Sequence, residues 1–274
     1  MQRQQILIEA DELLNKIDNP NLKIFDATLL FFAKEDEPTS FDEYKDRHIP
    51  NASFFDHQLV SQADHKYMFM IAPEDQLARA IGGMGIDNDS EVIVYTRQTI
   101  ASATRAWWVL TYAGHENVRI LNGGLPAWEA VGGQLETGHH QYTPTTFNTN
   151  IKSEMFVTKD DVQEMLKQNN IETVYTLPLE AYGGKYITGT SCKPSQTLTD
   201  EAYMTIASDE VLAEQLKDES QKDRIITYCG GGIAATVNAV AHLIAGNENV
   251  SVYDGSLSEW MGEGLPISTT DESA

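Results

Sequence analysis

Residues 224–235 read RIITYCGGGIAA, an apolar run that ends in Cys229 and continues into three glycines. Residues 224–228 predict a short buried strand, and residues 233–243 predict a helix. The glycines between them allow backbone N–H groups to turn inward, and the helix N-terminus adds positive potential. These conditions favour a thiolate, so we interpret Cys229 as a nucleophile rather than as a small buried hydrophobe.

The loop after this cysteine is predicted to bind an anionic sulfur, because successive backbone amides can form a nest around an anion. The candidate binding residues of the loop are Gly230, Gly231, Gly232, Ile233, Ala234 and Ala235. Lys185 is the nearest basic candidate in the second half of the chain. Cys192 follows a loop with no helix terminus behind it, and we expect it to be structural. Arg105 is predicted to lie on a helix surface, with the interdomain cleft as the alternative position.

Length and charge limit the classes of function. At roughly 150 residues per domain, 274 residues predict two domains. The chain has 19 basic and 41 acidic residues, a net charge of −22, which argues against nucleic acid and anionic membranes as partners. Its two cysteines exclude a disulfide framework. Neither a signal peptide nor an apolar run of about 18 residues is visible, so we expect a cytoplasmic protein.

The two halves of the chain resemble each other. Residues 121–128, LNGGLPAW, match residues 253–260, YDGSLSEW, at an offset of 132, and residues 92–96, VIVYT, match residues 225–229, IITYC, at an offset of 133. Tyr44 and Tyr182 form a third pair, at an offset of 138. Near-constant offsets indicate a duplication. We place the domains at residues 1–137 and 151–274, joined by a polar linker at residues 138–150.

Strand and helix patterns alternate in each half, which predicts α/β domains with mainly parallel sheets flanked by helices. Residues 40–43, SFDE, and residues 158–161, TKDD, predict capping boxes at two helix starts. Strands are predicted at residues 22–27, 92–95, 118–121, 173–176, 224–228 and 250–253. Longer helices are predicted at residues 73–81, 101–113, 209–217 and 233–243.

The order and spacing of these motifs resemble the tandem rhodanese-type sulfurtransferases, the thiosulfate/3-mercaptopyruvate sulfurtransferase family. In the first half the resemblance rests on residues 25–28, 47–52, 105–108 and 121–128, and in the second half on residues 229–235 and 253–260. It implies two rhodanese-like domains, an active site in the cleft between them, and a persulfide on Cys229. Thr96 takes the equivalent position in the first repeat and has no thiol, so that domain is expected to be catalytically silent.

The resemblance further implies a small-molecule sulfur donor, thiosulfate or 3-mercaptopyruvate, and a thiol or cyanide-like acceptor, with a thioredoxin-like reductant as a further candidate partner. It implies no metal and no organic cofactor. The donor stays open, because Tyr175-Thr176-Leu177 stands where the family usually carries an Asp-Ala-Arg-type strand end, and no arginine follows up to Tyr186. Gly231 also lacks the serine hydroxyl found in mercaptopyruvate-using members.

Other interpretations remain open. Without anion-binding arginines, the chain could be a non-enzymatic sulfur carrier or binding module. The pattern of Gly230, Gly232 and Ala235, with Asp254 ending the next strand, also fits a dinucleotide fingerprint. A cysteine phosphatase would need an arginine six residues after the cysteine, and Ala235 stands there.

Overall fold

The structure, a computed structural model, describes residues 1–30, 36–200 and 202–270. Its first half contains the strands β1 Leu7–Ile8, β2 Leu22–Asp26, β3 Ser53–Phe54, β4 Glu91–Tyr95 and β5 Val118–Leu121. The helices of this half are α1 Arg3–Ile6, α2 Ala10–Leu14, α3 Ser40–Asp46, α4 Glu74–Gly83, α5 Ile100–Tyr112 and α6 Gly124–Ala130.

The second half repeats this alternation. Its strands are β6 Phe156–Val157, β7 Ile171–Tyr175, β8 Lys185–Ile187, β9 Ser191–Cys192, β10 Arg224–Tyr228, β11 Val250–Tyr253 and β12 Ile267–Thr269. Its helices are α7 Lys159–Met165, α8 Asp209–Gln215, α9 Ala235–Ile244 and α10 Ser256–Gly262. The described part of this half also contains four short 3₁₀ turns, one before α7 and three between α7 and α9.

Each half forms a five-stranded parallel sheet, and the strand orders correspond. The first sheet runs β1-β5-β4-β2-β3 and the second runs β6-β11-β10-β7-β9. The central strands β4 and β10 are almost entirely buried apolar runs, as expected for strands covered by helices on both faces. The predicted α/β architecture of two domains is therefore confirmed. Strands β8 and β12 form a separate antiparallel ribbon.

Matching hydrogen bonds support the duplication. The N–H of Ile49 donates to the Tyr95 hydroxyl at 3.3 Å, and the N–H of Ile187 donates to the Tyr228 hydroxyl at 2.9 Å. The third landmark of the repeat is less symmetric. Tyr44 is fully buried within α3, whereas Tyr182 is 50% exposed. These two tyrosines therefore occupy different environments.

Helices α5 and α9 join the two halves. Every residue of α9 is buried, as is nearly all of α5. The two helices meet where the hydroxyls of Thr104 and Thr236 form a 2.8 Å hydrogen bond. One apolar cluster, which includes Trp108 and Val240, extends across both halves. The interface between the domains is thus a continuous part of the core.

The stretch predicted as a linker packs on the first half. The Tyr142 hydroxyl accepts from the N–H of Ile24 at 2.9 Å, and Phe147 is buried. A Cβ at Gly114, whose φ is +98°, would lie 2.7 Å from the carbonyl oxygen of Asn150. The stretch therefore follows a fixed path, and the domain boundary within it stays a prediction.

Several predicted boundaries differ from the observed ones. Helix α9 begins at Ala235 rather than at residue 233, because the preceding residues close with i→i+3 hydrogen bonds from Thr236 to Ile233 and from Val237 to Ala234. The capping box of α3 uses Thr39 and Asp42, one residue earlier than predicted. The capping box of α7, from Thr158 to Asp161, is confirmed. No helix in the described parts of the chain is long and apolar enough to cross a membrane.

Candidate functional site

Cys229 directly follows β10 and is held by the start of α10. Its N–H donates to the Ser256 hydroxyl at 3.1 Å, and its carbonyl accepts from the N–H of Leu257 at 3.0 Å. The residue is only 2% exposed. The backbone at Cys229 is therefore fixed on both sides, which fixes where the thiol can point.

The three glycines that follow Cys229 differ in how much space surrounds each of them. A Cβ at Gly230 would collide with the Tyr182 hydroxyl, and a Cβ at Gly232 would lie 2.6 Å from the carbonyl oxygen of Asp254. Gly232 also needs its positive φ. A Cβ at Gly231 would meet no atom within 4 Å. Close backbone approach thus requires glycine at position 232, a Cβ at position 230 would displace the half-exposed Tyr182 ring, and position 231 faces open space.

The amides of this loop are available to a ligand. The N–H groups of residues 230–235 donate no hydrogen bond to an acceptor in the described part of the chain. Successive amides left without partners at a helix start can bind an anion. This arrangement is consistent with the predicted nest for a thiolate or persulfide at Cys229.

A cavity of about 370 Å³ opens over the thiol, and both halves of the chain line it. The first half contributes Met68, Phe69, Thr99 and Ala101. The second half contributes Leu177, Tyr182, Tyr203, Cys229, Gly230, Gly231, Ile233, Ala234 and Ser258. The cavity therefore lies between the domains.

Four of the six predicted loop residues line this cavity, and Gly232 and Ala235 lie outside its lining. Lys185 begins β8, pairs with Thr269 in the ribbon, and does not line the cavity. Its role as an anion ligand stays a prediction. In the described ranges no group of three or more His, Cys, Asp or Glu residues could hold a metal ion.

Three buried or half-buried tyrosines interact electrostatically with Cys229. Burial, followed by the nearby charge of Cys229, raises the pKa of Tyr182. Burial is also the main cause of the raised pKa of Tyr175 and of Tyr203, and Cys229 contributes to both. These hydroxyls therefore stay protonated near neutral pH, and the Tyr182 hydroxyl, which lies against Gly230, can donate to an anion beside the loop.

The second thiol is in a different setting. Cys192 ends β9, is partly buried, and donates from Sγ to the Leu177 carbonyl at 3.3 Å. Burial, and then the nearby Glu180 carboxylate, raises the pKa of the Cys192 thiol. Since the thiolate is the nucleophilic form, the raised pKa disfavours reaction at Cys192 near neutral pH.

Arg105 lies at the interface between the domains, the alternative position predicted from the sequence, and the preferred prediction of a helix surface is wrong. It is 2% exposed and forms a 2.8 Å ion pair with Asp254 across the domain interface. It also donates to the carbonyl of Gly232 at 3.2 Å and to that of Phe69 at 2.6 Å. The guanidinium therefore ties the loop of the second half to the first half. Asp254 also accepts from the N–H of Ile71, so it is not free to bind a ribose, as the dinucleotide interpretation requires.

The first half has a corresponding but altered site. The N–H of Leu125 donates to the Thr96 carbonyl at 2.8 Å, just as Leu257 donates to Cys229. Thr96 has a hydroxyl in place of the thiol, and the next residue, Arg97, forms a buried 2.8 Å ion pair with Asp26. The structural equivalence of Thr96 and Cys229 follows from this shared backbone contact.

Sequence and structure comparisons agree on the family. The rhodanese-like domain family matches residues 9–131 and 158–263. The 3-mercaptopyruvate sulfurtransferase of Escherichia coli (strain K12) is 31% identical over 92% of this chain and 94% of its own length. Thiosulfate/3-mercaptopyruvate sulfurtransferase 1, mitochondrial, of Arabidopsis thaliana is 27% identical over 98% of this chain and 79% of its own length.

Solved structures give the same result. The crystal structure of SseA from Escherichia coli, described as a 3-mercaptopyruvate sulfotransferase, superposes with a TM-score of 0.82 at 30% identity, covering 91% of this chain and 98% of SseA. A structure of EanB in complex with ergothioneine has a TM-score of 0.84 at 21% identity over 98% of this chain and 71% of EanB, a likeness of fold alone. The chain belongs to the tandem-domain rhodanese-type sulfurtransferases.

Proposed function

We propose that Cys229 carries the transferred sulfur as a persulfide between a sulfane donor and a thiophilic acceptor. The observation that carries this proposal is the position of the thiol, fixed at the end of β10, within a cavity that both domains line and beside amides that lack acceptors. A thiolate there can attack a sulfur atom from the cavity, and the loop can receive the resulting charge.

The donors named in the relatives, thiosulfate and 3-mercaptopyruvate, are the first candidates for this chain. With thiosulfate, the Cys229 thiolate bonds to the outer sulfur, the S–S bond of the donor breaks, and sulfite leaves with the electron pair. With 3-mercaptopyruvate, the C–S bond breaks and the enolate of pyruvate leaves and is protonated. Either step produces the same Cys229 persulfide.

A thiol or cyanide then removes the outer sulfur and returns Cys229 to the thiolate. Two half-reactions that share one covalent intermediate predict ping-pong kinetics. A thioredoxin-like dithiol is a further candidate for the reducing partner. We place the reaction in the cytoplasm, where a reducing environment keeps a single reactive thiol from oxidation.

Mass spectrometry tests the intermediate. After incubation with each donor and removal of excess, we expect Cys229 to gain the mass of one sulfur atom. The Cys192→Ser variant should load like the wild type, and the Cys229→Ser variant should not load at all. Equal loading of the two variants would refute the assignment of Cys229.

Steady-state turnover separates an enzyme from a non-enzymatic sulfur carrier. The carrier remains the second candidate because no cationic side chain in the described part of the chain lines the cavity. A carrier would load Cys229 once and release sulfur no faster than a free persulfide does. We expect repeated turnover with a small thiol acceptor.

A further inference from the structure

The cavity over Cys229 has no ionic lining. None of the thirteen described residues that line it is an arginine, lysine, histidine, aspartate or glutamate. Its walls are mainly apolar, with Met68, Phe69 and Leu177 among them, and its polar side chains are hydroxyls and the thiol itself. A charged ligand group held away from the loop amides would exchange part of its hydration for uncharged walls, without a counter-charge from any described lining residue.

The nearest buried cation does not change this. Arg105 lies behind the loop, contacts the Gly232 carbonyl, and is neutralised by the Asp254 carboxylate at 2.8 Å. Its remaining hydrogen bond goes to the Phe69 carbonyl. The guanidinium therefore has its partners within the protein. In addition, the net charge of −22 opposes the approach of an anion from solvent.

The polar groups of the cavity are suited to the sulfur rather than to the body of a ligand. The Tyr182 hydroxyl lies against Gly230, next to Cys229, in a turn where Tyr182 itself has a φ of +54°. The Tyr203 hydroxyl forms a 2.7 Å hydrogen bond with Ser195. The Tyr182 hydroxyl and the loop amides, which have no acceptor in the described part of the chain, therefore lie at the thiol end of the cavity. A volume of about 370 Å³ is enough for a small organic molecule.

We propose that the acceptor which discharges the Cys229 persulfide is a small, largely apolar organic thiol that carries no charge other than on its sulfur. The proposal rests on the proposed function. The acceptor thiolate attacks the outer sulfur of the persulfide, and a new S–S bond forms. The bond between the two sulfurs at Cys229 breaks, its electron pair returns to Cys229 Sγ, and the product is an organic persulfide.

A series of methanethiosulfonate reagents tests the cavity without requiring sulfur transfer. Each reagent forms a disulfide with Cys229 and releases methanesulfinate, and the transferred group is benzyl, 2-aminoethyl or 2-sulfonatoethyl. Rates are measured on the Cys192→Ser variant, so that only one thiol reacts, and are divided by the rates with free 2-mercaptoethanol. We expect the relative rate of the benzyl reagent to exceed that of the sulfonatoethyl reagent by about tenfold or more, equivalent to at least 1.4 kcal/mol. Equal relative rates, or a faster relative rate for either charged reagent, would overturn the proposal.

Two lysine substitutions provide a matched control. A side chain at Gly231 would enter open space at the cavity, and a side chain at Gly83, at the end of α4, would also meet no atom within 4 Å. Gly231→Lys should raise the relative rate of the sulfonatoethyl reagent severalfold, and Gly83→Lys should leave the ranking unchanged. Equal effects of both variants would show that net charge, rather than the cavity, sets the ranking.

Discharge of the loaded protein completes the test. Persulfidated protein is mixed with benzyl mercaptan or with 2-mercaptoethanesulfonate at equal thiolate concentration, and loss of the outer sulfur is followed by mass spectrometry. We expect faster discharge by benzyl mercaptan, and the opposite order would overturn the proposal. If no persulfide forms with any donor, the proposed function fails, while the reagent series still reports whether the cavity prefers uncharged groups.

Discussion

Replacing Arg105 with methionine should destabilise the protein strongly, because the change leaves a buried carboxylate without its counter-charge. The side chains of Arg105 and Asp254 are 3% and 5% exposed, so water cannot replace the lost partner. Removing one member of a buried ion pair typically costs about 3–5 kcal/mol. The carbonyls of Gly232 and Phe69 also lose a charged donor.

Thermal unfolding measures this loss. A change of 1 kcal/mol shifts Tm by about 2–4 °C in a chain of roughly this size, so we expect Arg105→Met to lower Tm by about 6–20 °C. The control is Arg79→Met. Arg79 pairs with Asp75 on the surface of α4, where both side chains are about 70% exposed, and such pairs contribute about 0–1 kcal/mol.

A double substitution distinguishes the ion pair from packing. Asp254→Asn removes the uncompensated charge, so Arg105→Met combined with Asp254→Asn should lose less stability than the sum of the two single losses, by about 0.5–3 kcal/mol. If Arg105→Met shifts Tm no further than Arg79→Met, the reasoning about the interface is wrong. The same holds if the two single losses simply add.

Three further outcomes follow from the site and the core. Turnover with 3-mercaptopyruvate should show a high KM, because each missing charge-assisted hydrogen bond to its carboxylate weakens binding by about 1.5–3 kcal/mol. A low-micromolar KM would contradict this expectation. Gly231→Glu should fold, as checked by circular dichroism, but its carboxylate should oppose the Cys229 thiolate and slow iodoacetamide alkylation near neutral pH about tenfold. The control variant Gly83→Glu should react like the wild type. Equal alkylation rates in all three proteins would mean that the loop does not favour an anion. Burial lowers the pKa of His57 from 6.5 to about 4, so the unfolded chain binds a proton first as the pH falls. About 3 kcal/mol of stability should therefore be present above pH 6.5 and lost as the pH falls towards 4. In urea titrations, the free energy of unfolding of His57→Gln should fall by about that much less than the wild type over the same pH range.

The alternation of elements and the position of Cys229 could be predicted because both are local patterns. Strand β10, the glycines and helix α9 adjoin in sequence, and buried apolar runs have few other interpretations. The short strands were missed for the same reason. β1 and β6 have only two residues each, too few for a periodic pattern, and they exist because a longer neighbouring strand offers them hydrogen bonds.

The contacts of Arg105 and Tyr182 could not be predicted from local patterns. Arg105 meets Asp254 only because α5 of one domain packs against the other domain. The residues adjacent to Arg105 in sequence do not indicate that this helix, with its charged residue, is buried on nearly all sides. Tyr182 reaches Gly230 through a turn in which both Tyr182 and Gly183 have positive φ. The glycine pair after Tyr182 was the signal that could have suggested this turn.

The first domain contributes to the site although it lacks a thiol. Phe69 and Thr99 form one wall of the cavity, and the carbonyl of Phe69 accepts from the same guanidinium that contacts Gly232. The second domain alone would leave the apolar side of its loop in water and Asp254 without its cation. The thiol and its amides belong to one repeat, but the cavity beside them, whose described lining carries no charged side chain, is formed by both. The first repeat therefore supplies a wall of the cavity and the cation that pairs with Asp254, although Thr96 stands where the second repeat has its thiol.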